Sequence, residues 1–345
     1  MDHVDISLQP AEIRAPEDGD GPPPWQEPAR LAAANAWISE SCEAAGLVRT
    51  GPGEIRGRMW SVVARVPVEG GCVWFKENPP RSGFEPAVVD ALTRWSPQDA
   101  PPLIAVDTER RWALTRNVGE RLDDLLKRDP DIRNMHTPLR RYARLQRKLT
   151  AHVDDLLGLG VPDGRPDHIE ELLDSVLTHA PTGLIGEDVL RHVASMLPEL
   201  REWAKELAAF GVPGTLDHED LHPGNILGTS TDSRPFDWGD STVGSPFGSL
   251  LVILRATPEF CGFERDDPGV KALREIYLEA WLAESGLSVA ELYRAVELSL
   301  RLTPVMRAHT WTRTFPCFHR SAKPWESVEF WLGNIGCEDP VTVGL

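Results

Sequence analysis

The sequence predicts an α+β chain in two parts, a small β-rich part followed by a larger, mainly helical one. Two observations predict it. β-Branched and aromatic runs cluster before residue 118, and apolar residues recur at helical spacing from residue 139 onward. With 345 residues, 41% of them hydrophobic, the chain can bury a large core and divide it between two lobes.

In chain order, residues 9–29 hold Pro10, Pro16, Pro22, Pro23, Pro24 and Pro28 among acids and glycines, which predicts a loose or extended leader. From Ala29 to Leu47 the apolar positions Leu31, Ala34, Trp37 and Ile38 follow a helical repeat. Trp60–Val66 and Cys72–Lys76 read as strands joined by the turn Glu69-Gly70-Gly71. A helix is expected over Phe84–Trp95. A hairpin follows, with Leu103–Val106 and Trp112–Thr115 as its strands and Asp107–Arg110 as its turn. Leu139, Tyr142, Leu145, Leu149, Val153 and Leu156 predict one long amphipathic helix, and further helices are expected at 168–179, 186–209, 268–284 and 289–302. The expected domains are 1–50 (leader and N-terminal helix), 51–118 (β-rich lobe) and 119–345 (helical lobe).

Composition excludes several classes of function. No apolar run approaches the length that spans a bilayer, so no membrane association is expected. The start lacks a basic-then-apolar signal, and the five cysteines form no C-x-x-C pair, which suits reduced thiols in a cytoplasm. A net charge of −17 argues against nucleic-acid partners, whose phosphates need Lys and Arg.

The chemistry concentrates in residues 218–225, His-Glu-Asp-Leu-His-Pro-Gly-Asn, with Asp237 twelve positions after Asn225. The spacing H-x-D-x-x-x-x-N is that of a kinase catalytic loop. Phosphoryl transfer needs a carboxylate to orient the attacking hydroxyl, here Asp220. It also needs an amide oxygen and a second carboxylate on Mg²⁺, here Asn225 and Asp237. The Pro-Gly pairs at 213–214 and 223–224 put the motif in a loop. A rival reading places His218, Asp220 and His222 on one side of a strand as transition-metal ligands, but Pro223-Gly224 breaks a strand there.

Lys76 is the only lysine in residues 1–126 and ends the apolar run Val73-Trp74-Phe75. An ammonium there suits nucleotide phosphates, with Glu85 at the start of the next helix as its ion-pair partner. Arg58 and Ser61, in the turn Gly57–Ser61, are candidates for covering the phosphates.

The set His218-x-Asp220-Leu221-His222-Pro223-Gly224-Asn225 with Phe236-Asp237-Trp238 resembles the aminoglycoside phosphotransferase family, relatives of choline kinases with a protein-kinase-like fold. The resemblance covers roughly residues 55–300. It implies a bilobal fold, ATP (or GTP) and Mg²⁺ as cofactors, Asp220 as catalytic base, and His218 as a brace for the loop. It also implies that Thr115–Gly119 is an inter-lobe hinge facing the adenine. Two departures stand out. Glu219 occupies a position where the family has Gly, and Gly244–Leu250 lacks the carboxylates of the family's Gly-Asp-Pro-x-x-Asp-Leu.

The acceptor implied by the resemblance is a small hydroxylated molecule, an antibiotic above all, bound by helices of the second lobe. Residues 301–331 hold five basic side chains against Glu326 and Glu329, and many aromatics. A polycationic aminoglycoside calls for carboxylates, so this stretch favours a nucleoside-type or other uncharged acceptor. Arg307, His309, Trp311 and Trp325 are the candidate wall, with Arg307, His309, Trp311 and Arg313 alternating along one side of a cleft. Other acceptors that the resemblance allows are aminoglycosides, macrolides, peptide antibiotics, amino alcohols and sugars. A silent, binding-only module is the remaining alternative, although Lys76, Asp220, Asn225 and Asp237 are all present.

Overall fold

The computed structural model describes residues 5–13, 21–264, 267–283 and 285–336. Residues 14–20 of the expected leader and Cys337 lie outside the described residues. The chain divides into two units. One runs through Val118 and takes in Arg313–Ala322; the other holds Gly119–Thr312 and the chain from Lys323 onward. Arg313–Ala322 therefore groups with the first unit, although the sequence reading assigned it to the helical lobe.

The first unit is a six-stranded sheet, Leu8–Ile13 (β1), Gly53–Gly57 (β2), Val62–Val68 (β3), Gly71–Glu77 (β4), Leu103–Asp107 (β5) and Trp112–Arg116 (β6), in the order β1-β2-β3-β4-β6-β5. Only β1 and β2 pair in parallel. Alternation decides which face is inward: Val62, Ala64, Val66 and Val68 of β3 are all buried. Gly70, at φ 80°, supplies the left-handed backbone that the tight β3–β4 turn requires. Helix α1 (Pro28–Ala44) lays Ala34, Ile38 and Cys42 on this core, and α2 is Glu85–Trp95.

The leader is not loose where it is described. Leu8–Ile13 forms a strand on β2, and Trp25 is buried at 2% exposure, stacked on Phe318 at 6.0 Å and edge-on to Phe315 at 6.2 Å. A large apolar surface won over the proline-rich local signal. Gly57 makes room for the indole, since a Cβ there would lie 2.2 Å from the Trp25 ring.

The second unit is mainly helical: α3 (Leu122–Arg128), α4 (His136–Leu149), α5 (Val153–Gly158), α6 (Ile169–His179), α7 (Glu187–Ala209), α8 (Leu250–Cys261), α9 (Pro268–Leu282), α10 (Val289–Trp311) and α11 (Ala322–Gly333). Strands β7 (Asp163–Gly164), β8 (Thr215–Asp217) and β11 (Thr242–Gly244) form one small sheet, and β9 (Ile226–Gly228) and β10 (Ser233–Pro235) form a hairpin. The expected single helix over 139–156 breaks. Thr150 donates its hydroxyl to the Arg147 carbonyl, a 3₁₀ turn spans Thr150–His152, and α5 then restarts the chain. Helix α10 runs nine residues past its expected end at 302, through Pro304. A capping box, Ser288 with Glu291, starts it. Burial of every residue from Leu302 to Thr310 outweighs the bond that Pro304 forfeits.

Trp25→Ala should cost about 3–5 kcal/mol of stability by emptying the space against Phe315 and Phe318. Urea unfolding followed by far-UV circular dichroism measures this, and an unchanged midpoint would return the segment to a loose leader.

Candidate active site

In the second unit, β8 leads into the motif loop, where Asp217, His218 and Glu219 are fully buried. The Asp220 side chain that follows is 29% exposed, so it is the first carboxylate of the run that a dissolved molecule can reach. This switch from sealed to open is made by backbone. Glu219 adopts φ 64°, the left-handed region, where the resembling family has Gly. Thr242 donates its hydroxyl to Glu219 Oε1 at 2.6 Å and fastens the strained residue to β11.

Asn225 is tied to Asp220 twice. Its Nδ2 donates to the Asp220 carbonyl at 2.9 Å and to Oδ2 at 3.2 Å. Both bonds use the amide nitrogen, which leaves Oδ1 as a hard oxygen donor. The β9–β10 hairpin pairs Ile226 with Pro235, and one step outward the Phe236 amide donates to the Asn225 carbonyl at 3.0 Å. Asn225 and Asp237 therefore stand at the same end of one hairpin. Asp237, at φ 68°, turns the chain into the short 3₁₀ helix Trp238–Asp240. Amide and carboxylate oxygens are the donors that Mg²⁺ takes, so these residues fit that ion.

His218 braces the arrangement. Its Nε2–H donates to the Phe236 carbonyl at 2.9 Å, and its ring packs on Trp238 at 4.7 Å. Burial pushes its pKa below the ordinary histidine value, so the ring is neutral near neutral pH. With Nε2 given to a backbone carbonyl, His218 does not converge with Asp220 and His222 on one ion as the rival reading required. His222 instead accepts the Gly224 amide at Nδ1, 3.0 Å away.

Sequence reasoning missed Asp217, Tyr142 and Ser249. Asp217 Oδ1 accepts from the Ser249 amide at 3.2 Å, from the Tyr142 hydroxyl at 3.2 Å and from the Ser249 hydroxyl. Burial, then repulsion from Glu219, raises the Asp217 pKa well above the ordinary carboxylate range. No sequence signal marked this triad, because its members lie 75 and 107 positions from Tyr142.

In the first unit, Lys76 Nζ meets Glu85 Oε2 at 2.5 Å, which joins β4 to the first turn of α2. The pair expected from sequence is formed, with side-chain exposures of 18% and 4%. The Arg58 amide donates to the Ser61 carbonyl at 2.8 Å and closes a turn; Arg58 is half-buried and Ser61 is buried.

The expected acceptor wall looks different. Residues 307, 309 and 311 lie on helix α10, where a step of two residues turns to another face; only Arg307 and Trp311, four apart, share one. Arg313 lies past the helix end and belongs to the first unit, its guanidinium 5.6 Å from the Phe84 ring centre. His309 and Trp325 are buried at 6% and 3% exposure, while Trp311 is half-buried. Arg307 does not present its fork to an open wall. Nη2 donates to Asp220 Oδ1 and Nη1 to the Glu219 carbonyl, each at 2.9 Å. The stretch is also less basic than its composition suggests, since Arg301 pairs with Glu297 at 2.9 Å.

A family model described as "Phosphotransferase enzyme family" matches residues 98–293. No curated protein matches the chain by sequence. Among solved structures, an ethanolamine kinase of Plasmodium vivax is similar at 12% identity and TM-score 0.62, covering 91% of this chain and 89% of its own. An amicoumacin kinase in complex with AMP-PNP, Ca²⁺ and its ligand is similar at 14% identity and TM-score 0.56, covering 92% of this chain and 98% of its own. The GDP and kanamycin complex of an APH(2″) enzyme reaches 14% identity and TM-score 0.55, with 87% and 98% covered. These likenesses identify the fold as protein-kinase-like.

Lys76→Met should cost about 3 kcal/mol, because it strips the buried Glu85 carboxylate of its cation. Lys76→Met with Glu85→Leu should recover most of that loss. Denaturant unfolding of both variants tests the pair, and equal stability of single and double variants would deny the coupling.

Proposed function

The chain belongs to the phosphotransferase enzyme family, and we propose that it transfers phosphate from ATP to a hydroxyl group, with Asp220, Asn225 and Asp237 carrying the transfer. One observation supports this reading above the others. The only one of four consecutive residues, 217–220, whose side chain is open to solvent is the carboxylate that the transfer needs, and Asn225 is bonded directly to it. Asp220 orients the acceptor hydroxyl and takes its proton as the oxygen attacks the γ-phosphorus, and ADP leaves. Asn225 Oδ1 and the Asp237 carboxylate would hold Mg²⁺, which when bound neutralises charge on the nucleotide phosphates. Lys76, paired with Glu85, is assigned to the phosphates as a point charge, and Arg58 and Ser61 are assigned as further phosphate contacts. His218 keeps the base loop and Asp237 in register.

The acceptor we propose is an antibiotic-like hydroxylated molecule, with resistance or self-protection as the role and a non-polycationic compound as the favoured class. Of the four wall residues, Trp311 alone is half-buried rather than buried, and an indole there suits a flat or apolar part of an acceptor. The similar proteins named above, an ethanolamine kinase, an amicoumacin kinase and a kanamycin complex, supply the competing classes. No described helix is long and apolar enough to cross a membrane. A cytoplasmic setting, among soluble donors and acceptors, is part of the proposal.

Asp220→Asn should lower kcat by roughly 10²–10⁴-fold while nucleotide binding persists. Asp237→Ala should remove the Mg²⁺ dependence of ATP binding in calorimetry, and metal-responsive binding by that variant would refute its assignment.

Incubation of the protein with ATP, Mg²⁺ and a panel of nucleoside antibiotics, amicoumacin, a macrolide, kanamycin and ethanolamine should yield a phosphate adduct by mass spectrometry. Trp311→Ala should raise acceptor KM and leave KM for ATP unchanged. Efficient turnover of kanamycin, indifferent to that substitution, would overturn the favoured acceptor class.

A further inference from the structure

Arg307 is a buried cation that reaches the Asp220 carboxylate from another element. Its side chain is 6% exposed on α10, and the residue it grips lies 87 positions earlier in the chain. One face of the guanidinium lies over Trp331, 5.5 Å from the ring centre. Its edge meets three oxygens: Asp220 Oδ1 and the Glu219 carbonyl, each at 2.9 Å, and Asp240 Oδ2 at 3.6 Å. Burial opposes the Arg307 charge, yet Asp220, Asp240 and Glu219 together hold its pKa above the ordinary arginine value.

We propose that Arg307 is the positioning residue of the transfer, its planar fork fixing the Asp220 carboxylate at the angle from which it meets the acceptor hydroxyl. The proposal rests on Asp220 being the base. Asp220 is then held at both oxygens, Oδ1 by Arg307 and Oδ2 by Asn225 at 3.2 Å. Held at both oxygens, the carboxylate cannot turn about its Cβ–Cγ bond. The left-handed backbone at Glu219 turns its carbonyl to the second fork nitrogen, so the same guanidinium holds both the base and the strained residue before it. A lysine keeps the charge but cannot serve two acceptors at fixed spacing. A buried ion pair by itself is weak evidence for stability, so its presence here points to alignment.

The test is a double-variant cycle on Arg307→Lys and Asp220→Asn. The readout is ADP release from Mg²⁺–ATP, with water alone and with the best acceptor of the panel. Arg307→Lys should lower kcat by about 10²-fold, the scale of a misplaced catalytic group, with KM for ATP within about twofold. Added to Asp220→Asn, it should lower kcat by no more than about twofold, because the group it positions is already gone. A loss through a damaged fold would instead multiply onto Asp220→Asn, and that result overturns the proposal. So does an Arg307→Lys enzyme with wild-type kcat while Asp220→Asn is inactive. Full activity of Asp220→Asn would be a different failure, since it removes the base itself.

Discussion

The hydrogen bond from His218 to the Phe236 carbonyl is the constraint on which the rest of the site depends. It joins the loop that carries Asp220 to the strand end next to Asp237, Phe236 lying eighteen positions downstream of His218. Burial keeps the imidazole neutral, so it donates from Nε2 and brings no second charge among the carboxylates. Around this bond the hairpin aligns Asn225 with Phe236, and a second bond from Asn225 closes the loop on Asp220.

The site also concentrates charge where a protein interior resists it. Asp217 and Glu219 are fully buried, and Arg307 nearly so. The three meet the cost in different ways. Burial and the nearby Glu219 raise the Asp217 pKa, which disfavours its charged form, and its Oδ1 accepts from Ser249 and Tyr142. Glu219 accepts from Thr242, and Arg307 is surrounded by acidic oxygens.

Both departures from the family pattern find a physical place. Glu219 has a left-handed backbone, the conformation that Gly adopts at no steric cost, and the Thr242 hydroxyl fastens it there. Where the family pattern has its second Asp, Ser249 donates its backbone amide and its hydroxyl to the buried Asp217 Oδ1.

Much was legible in the sequence because it was local. The H-x-D-x-x-x-x-N spacing, the strand that carries Lys76 and the turn at Gly70 are set by neighbours a few residues apart, and the structure has the strand and the turn where the sequence put them. The Lys76–Glu85 pair was within reach for the same reason, nine positions being one strand end and one helix start. What lay beyond reach was set by partners far away in the chain. Trp25 is buried by Phe315 and Phe318, Asp217 is capped by Tyr142 and Ser249, and Arg307 turns from a wall residue into the clamp on Asp220. A side chain's type and spacing state what it can do. Only the folded chain decides which distant oxygen a guanidinium meets, because that choice follows from burial and packing, which no short window of sequence contains.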